Sequence, residues 1–136
     1  MPDENFITPP GLVKGIEEFN CRDFYQCHET LEELWRVYDR PERECIQGII
    51  QIAVGYYHHL RDNRVGALKL LNRGLGRIQM FQPTCLGVDT NAFALAVDED
   101  LQRLQNAAAD EICGLKIAKI RYASDDMPDT GEENSK

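Results

Sequence analysis

From about residue 42 to about residue 61 the chain carries apolar side chains around most of a helical wheel. Ile46, Ile49, Ile50, Ile52, Ala53, Tyr56, Tyr57 and Leu60 cover that wheel except for one stripe. A helix that is greasy on nearly every side needs neighbours on nearly every side, so it is the central rod of its domain. This segment, with no convincing strand alternation in the main body, predicts an all-α protein.

The flanking segments supply the neighbours. Pro10 suits a first helical turn, and Leu12, Val13, Ile16 and Phe19 give a short amphipathic helix ending near Asn20. Asp23 is placed to cap a second helix that runs to about Tyr38. Asp39-Arg40-Pro41-Glu42 breaks it, with Pro41 as a starter for the central rod. Asp62-Asn63-Arg64 is a short connector. Val65, Leu68, Leu71, Leu75 and Ile78 then mark a fourth helix, weakened by Gly74 and Gly76. Residues 82–87 form a loop, and Asp89 or Thr90 caps a fifth helix through Phe93, Val97, Leu101 and Leu104. Residues 115–122 alternate imperfectly and read as a helix or as an extended arm. The expected fold is a single-domain irregular bundle of about five helices. Residues 1–9 are a flexible lead-in, 10–122 the helical domain and 123–136 an acidic disordered tail.

Composition narrows the function classes. The net charge is −8, about half of it in the tail, where Asp125, Asp126, Asp129, Glu132 and Glu133 face only Lys136. Nucleic-acid binding needs clustered Lys and Arg and is not expected. No run of about 18 apolar residues predicts a membrane span. Met1-Pro2-Asp3-Glu4-Asn5 lacks the basic and hydrophobic runs of a secretory signal. The five cysteines, Cys21, Cys27, Cys45, Cys85 and Cys113, are odd in number and form no C-x-x-C pair. Reduced thiols in a cytoplasmic protein follow as the simplest expectation.

The chemistry-bearing stretch is His28-Glu29-Thr30-Leu31-Glu32-Glu33-Leu34-Trp35. On a wheel with His28 at zero, Phe24, Leu31 and Trp35 fall at about −40°, −60° and −20°, and Glu32 at about +40°. An imidazole therefore sits inside an apolar arc with a carboxylate at its edge. Burying such groups without partners costs about 1–3 kcal/mol each, so a metal, a ligand or an internal network is expected to answer them.

The stripe on the central rod is Gln47, Gln51, Gly55 and His58, all within about 40° of Gln51. It either faces water or turns inward. An antiparallel hairpin folded near residue 41 pairs positions summing to about 82, which sets His28 against the region of Gln51 to Gly55 and Glu32 against Gln47 to Gln51. His58 lies about 6 Å further along the axis. In the inward case His28, Glu32 and His58 can bind zinc, manganese or iron and leave open positions for water or substrate. The string departs from the H-E-x-x-H pattern of zinc proteases by carrying Glu32 where the second histidine belongs, so a protease is not the preferred reading. The competing reading makes the same His/Glu/Gln cluster a structural network inside a non-catalytic binding or assembly module, self-associating or recruiting a partner through the greasy rod.

Several spaced motifs agree in order with a known group. Phe19-Asn20, Phe24-Tyr25-x-x-His28-x-x-x-Glu32-x-x-Trp35-Arg36, Arg43-x-x-x-Gln47-Gly48-Ile49-Ile50-Gln51-Ile52-Ala53 and Tyr57-His58-His59 resemble the prokaryotic family called domain of unknown function three hundred and nine. Gly66-Ala67-Leu68 and Pro83-x-x-x-Gly87-Val88-Asp89 also match, and the resemblance spans roughly residues 12–105. It implies a small helical protein with metal bound at the H-x-x-x-E-x-x-W motif, that is at His28 and Glu32 beside Trp35. Tyr25, Arg43, Gln47 and Gln51 then surround the site. No substrate, reaction or partner comes with the resemblance.

Overall fold

The computed structural model describes residues 8–107 and 114–123. In chain order the helices are α1 (Pro10–Asn20), α2 (Phe24–Val37), α3 (Arg43–Leu60), α4 (Arg64–Gln79) and α5 (Thr90–Asn106). Two short strands, β1 (Thr84–Cys85) and β2 (Val88–Asp89), stand between α4 and α5. The bundle of five helices is as expected. The ribbon is not: Thr84 pairs with Asp89 and Cys85 with Val88, so residues read as a plain loop form an antiparallel hairpin. Two residues per strand carry no alternation to detect.

Each helix packs on the next, and α3 against α4 is the most extensive contact. Ile46, Ile49, Ile52, Ala53 and Tyr56 on α3 have no solvent exposure, which confirms the rod as central. Its C-terminal end is different, since Leu60 is exposed. An aromatic cluster ties α1, α2, α3 and α5 together. Phe19 meets Phe24 and Phe93 edge-on at 5.0 and 5.5 Å, and Phe24 stacks on Tyr56 at 5.5 Å.

Two of the five helices carry a side-chain N-cap bond. Asn63 accepts from the Gly66 amide and Asp89 from the Ala92 amide, closing the first turns of α4 and α5. Asp23 occupies the expected position before α2 but makes no side-chain cap bond. Pro41 lies in the turn before α3 rather than inside it. Asp62 takes a φ of 62°, and the Asn63 amide reaches back to the His58 carbonyl at 2.8 Å. That left-handed residue closes the end of α3.

At Gln51 and Gly55 the α3 stripe turns inward, though not toward His28. Gln51 and Gly55 face α4, not water and not α2. Gln51 Oε1 accepts from Arg77 Nε at 3.0 Å, and the same guanidinium pairs with Glu44. Gly48 and Gly74 bring the two backbones together. A Cβ on Gly74 would lie 2.8 Å from the Gly48 carbonyl oxygen and 2.6 Å from Ile52 Cγ1. Gly74 is therefore a close-approach position and not simply a weak point of α4.

Residues 114–123 form no helix, and Ile117 takes a φ of 62°, which removes the helical reading of 115–122. Asn20 clamps the segment by donating to the Ile120 carbonyl and accepting from its amide. Tyr122 bridges to Val88, and the Ala123 amide donates to the Gly87 carbonyl. At the other end Thr8 Oγ1 donates to the Leu86 carbonyl. The lead-in and acidic tail expected from composition fall largely on residues 1–7 and 124–136, outside the described residues. Among the described residues no helix is long and apolar enough to cross a membrane.

Candidate functional site

The buried side of α2 is Phe24, Cys27 and Leu31, a three-to-four-residue spacing that seats the helix on its neighbours. His28 and Glu32 lie at the rim of that stripe, with side chains 30% and 27% exposed. Each nitrogen of the His28 ring faces a carboxylate. Glu29 Oε2 is 3.5 Å from Nδ1 and Glu32 Oε2 is 3.8 Å from Nε2. Arg36 approaches the other oxygen of Glu32 at 3.7 Å, one helical turn on. The cluster is thus built along one helix. Among the described residues neither His28 nor Glu32 makes a hydrogen bond or ion pair to α3.

The antiparallel register near 82 holds. Tyr25 on α2 lies 5.9 Å from Tyr57 on α3, and Tyr25 also meets the His28 ring at 6.1 Å. The same register sets Trp35 level with Gln47. The Trp35 indole Nε1 and Gln47 Oε1 are both buried, and neither has a hydrogen-bond partner among the described residues. A buried donor and a buried acceptor left unpaired cost about 1–3 kcal/mol each. Arg43 stacks its guanidinium 4.1 Å above the Trp35 ring. It donates from Nε to the Tyr38 carbonyl and from Nη2 to the Trp35 carbonyl. These are terminal carbonyls of α2, where a cation is favoured by the helix dipole. The α2 carbonyls and the indole ring are thus the partners of Arg43.

His58 is drawn elsewhere. Its Nδ1 accepts from Asn63 Nδ2 at 3.2 Å, and its ring packs on Gly66, where a Cβ would come within 2.8 Å of His58 Cδ2. The structure brings His28, Glu29 and Glu32 together and leaves His58 with α4. Among the described residues no three His, Cys, Asp or Glu side chains are assembled to hold a metal ion. Beside Glu29, on the α1 side of α2, lies an open recess of about 520 Å³. Tyr25, Glu29, Glu33 and Lys14 are among its walls, so Glu29 and Tyr25 belong both to the recess and to the surroundings of His28.

Other polar groups with structural weight escaped sequence reasoning. Asp100 is 1% exposed and accepts from the Tyr56 hydroxyl at 2.5 Å and the Lys116 amide at 2.9 Å. The Tyr56 hydroxyl in turn accepts from the Ala118 amide. Burial, then the neighbouring Asp100, push the Tyr56 phenol well above its ordinary range. A wheel about Val97 was the available signal: Asp100 falls at about −60°, next to Phe93 and Leu104, inside the apolar arc. Its acidic neighbours Asp98 and Glu99 disguised it. For Arg77 the signal was weaker, a cation one helical turn from Gly74 with nothing to name its partner.

Residues 12–70 match the family model described as Domain of unknown function (DUF309). That span contains His28, Glu32, Trp35, Arg43, Gln47, Gln51 and His58, and stops short of Gly74, Arg77 and Asp100. The chain is 37% identical over 134 residues to the uncharacterized protein YpuF of Bacillus subtilis (strain 168), covering 85% of this chain and 76% of that one. An uncharacterized protein of Aquifex aeolicus (strain VF5) is 28% identical over 65 residues, which cover 47% of this chain and 20% of the Aquifex protein.

Proposed function

The chain belongs to the DUF309 family, and from that premise we propose that it is a divalent-cation-binding protein whose ligands are His28 and Glu32. The observation that carries this reading is the carboxylate at each end of one imidazole. Metal-bound histidines commonly donate their second N–H to a carboxylate, which turns the other lone pair toward the ion. Glu29 is placed to take that role at Nδ1. His28 Nε2 and Glu32 Oε2 are 3.8 Å apart, against about 3.4 Å for two ligands on a tetrahedral zinc at ordinary bond lengths. A small rotamer adjustment closes the gap. The donor set therefore fits two protein ligands and leaves the remaining positions to water or substrate, with His58 outside the set.

A cation held there supplies Lewis acidity and a water acidic enough to ionise near neutral pH. The protein's own contribution is to orient the imidazole through Glu29, to hold Glu32 with Arg36, and to offer Tyr25 and the recess beyond Glu29 as a place for an adjoining group. The unpaired Trp35 N–H and Gln47 carbonyl oxygen in the same crease add a donor and an acceptor for a ligand.

The alternative, an assembly module with a register-fixing His/Glu/Gln network, has less behind it. Its motive was a central rod too greasy for so short a chain, and α3 is covered within one molecule up to Tyr56. Gln51 bonds to Arg77, not to His28. Calorimetric titration of untagged protein with manganese or zinc tests the proposal. Binding near 1:1 is expected, weakened more than tenfold by His28→Ala or Glu32→Gln and by about tenfold in Glu29→Gln. Absence of binding heat together with an unmoved His28 ring signal in NMR would sink it.

A further inference from the structure

His58 stands outside the proposed ligand set, and its ring is held at the corner between α3 and α4. One side chain there answers two groups. Asn63 Oδ1 accepts from the Gly66 amide at 3.0 Å, which caps α4. That bond fixes which end of the Asn63 amide meets His58, and Nδ2 donates to His58 Nδ1 at 3.2 Å. An amide NH2 can only donate, so Nδ1 carries a lone pair and the proton of the neutral ring sits on Nε2. We propose that this pair is a proton-operated latch: when the imidazole takes up a proton at Nδ1, Asn63 Oδ1 leaves the Gly66 amide for the imidazolium and α4 loses its cap.

The geometry forces a choice on one oxygen. With a proton on Nδ1, two donors face each other across the 3.2 Å contact. The two residues are held together by backbone as well, since the Asn63 amide donates to the His58 carbonyl at 2.8 Å. The ring lies against Gly66, where a Cβ would fall 2.8 Å from His58 Cδ2 and 2.8 Å from Asn63 Nδ2. Turning the Asn63 amide over relieves the clash by presenting Oδ1 to the ring, and the same turn sets an NH2 against the Gly66 N–H. A bond from an imidazolium is charge-assisted and roughly twice as strong as the neutral cap bond it displaces, so the oxygen goes to the ring.

No ion pair competes with the latch. Among the described residues no acid or base pairs with His58. The charged or titratable groups near it on α3 and the connector are His59, Arg61 and Asp62, and the Arg61 guanidinium is drawn over the Tyr57 ring at 5.4 Å. α4 brings Arg64, which donates to the Ala107 carbonyl. α2 reaches this end of α3 through Tyr25, which meets Tyr57 and, behind it, His28. The cap therefore answers to the state of one ring, present while that ring is neutral and lost as the pH falls.

The test is NMR of the isotope-labelled full-length protein with a chelator present, so that no metal occupies an imidazole. At about pH 8 the ring nitrogens of His58 should show the Nε2–H form. Lowering the pH to about 5, the range over which histidine changes charge, should move the Gly66 amide proton upfield in step with the His58 ring signals. The protection factor of that amide should fall about fivefold, as for the loss of an N-cap. His59→Gln should leave the response in place, and His58→Gln should flatten it. An Nδ1–H form of His58 at the higher pH overturns the proposal. So does a Gly66 amide that stays put while the His58 ring titrates, or one that still moves in His58→Gln. The wild-type titration decides even if a variant fails to fold.

Discussion

α3 is gripped on one flank and only accompanied on the other. Toward α4 its backbone comes close enough that a methyl group at Gly74 would strike the Gly48 carbonyl, and Arg77 ties Gln51 to Glu44 beside that contact. Toward α2, ring contacts such as Tyr25 on Tyr57 line the crease, Arg43 fastens the turn, and His28 and Glu32 keep to their own helix. Dense contact is hard to separate from stability, since every atom there has partners to lose. The looser flank retains the Trp35 N–H and the Gln47 carbonyl oxygen, buried and without hydrogen-bond partners among the described residues.

Substitutions on the two flanks should therefore diverge. Gly74→Ala is expected to cost about 3 kcal/mol, because the added methyl meets backbone on the facing helix, whereas His28→Ala should cost less than about 1 kcal/mol. Urea unfolding of both variants measures this, and equal losses would erase the contrast.

The inner face of α2 offers a test by pH. The unfolded chain releases the Cys27 proton from its ordinary value of 9.0 upward, while the folded chain holds it to about 12. The unfolded state thus binds fewer protons in that window, and stability falls as pH rises through it. The slope approaches about 1.4 kcal/mol per pH unit, or roughly 2–3 kcal/mol between pH 9 and 11. Cys27→Ala should flatten that portion of the profile, whatever it does to stability at pH 7.

Arg77→Met should cost about 1 kcal/mol, a discounted figure because the guanidinium is 38% exposed and its pairing with Glu44 is screened by water. The smallest change has the opposite sign. Gly76 is exposed and has no neighbour that an added Cβ would touch among the described residues, so Gly76→Ala should stabilise by about 0.5–1 kcal/mol through helix propensity alone. Two glycines one residue apart from a common neighbour would then respond in opposite directions, visible as Tm shifts of opposite sign.

Much of this architecture was legible in residue order. The apolar circumference of residues 42–61 located the central rod, and periodicity located the other helices, because both signals are local. The α2–α3 register followed from a short turn, and Tyr25 beside Tyr57 bears it out. What failed was direction. The Gln51 stripe was polar enough to mark an interface but said nothing about which neighbour it met, and Arg77 lies far along the chain. His58 went to Asn63 for the same reason, its partner being set by a capping geometry that forms only once α3 has ended. The hairpin was hidden because two-residue strands have no period.

The hydroxyl of Tyr56 finds its acceptor on Asp100 and its donor on Ala118. A ribosome delivers these three groups in that order, so the tyrosine at the heart of the helical core waits for almost the whole domain before its polar end is satisfied. Helices made early can assemble around their greasy faces, yet the last non-helical strip acts as a keystone. A chain ending at residue 107 would leave Asp100 with Tyr56 and without the Lys116 amide.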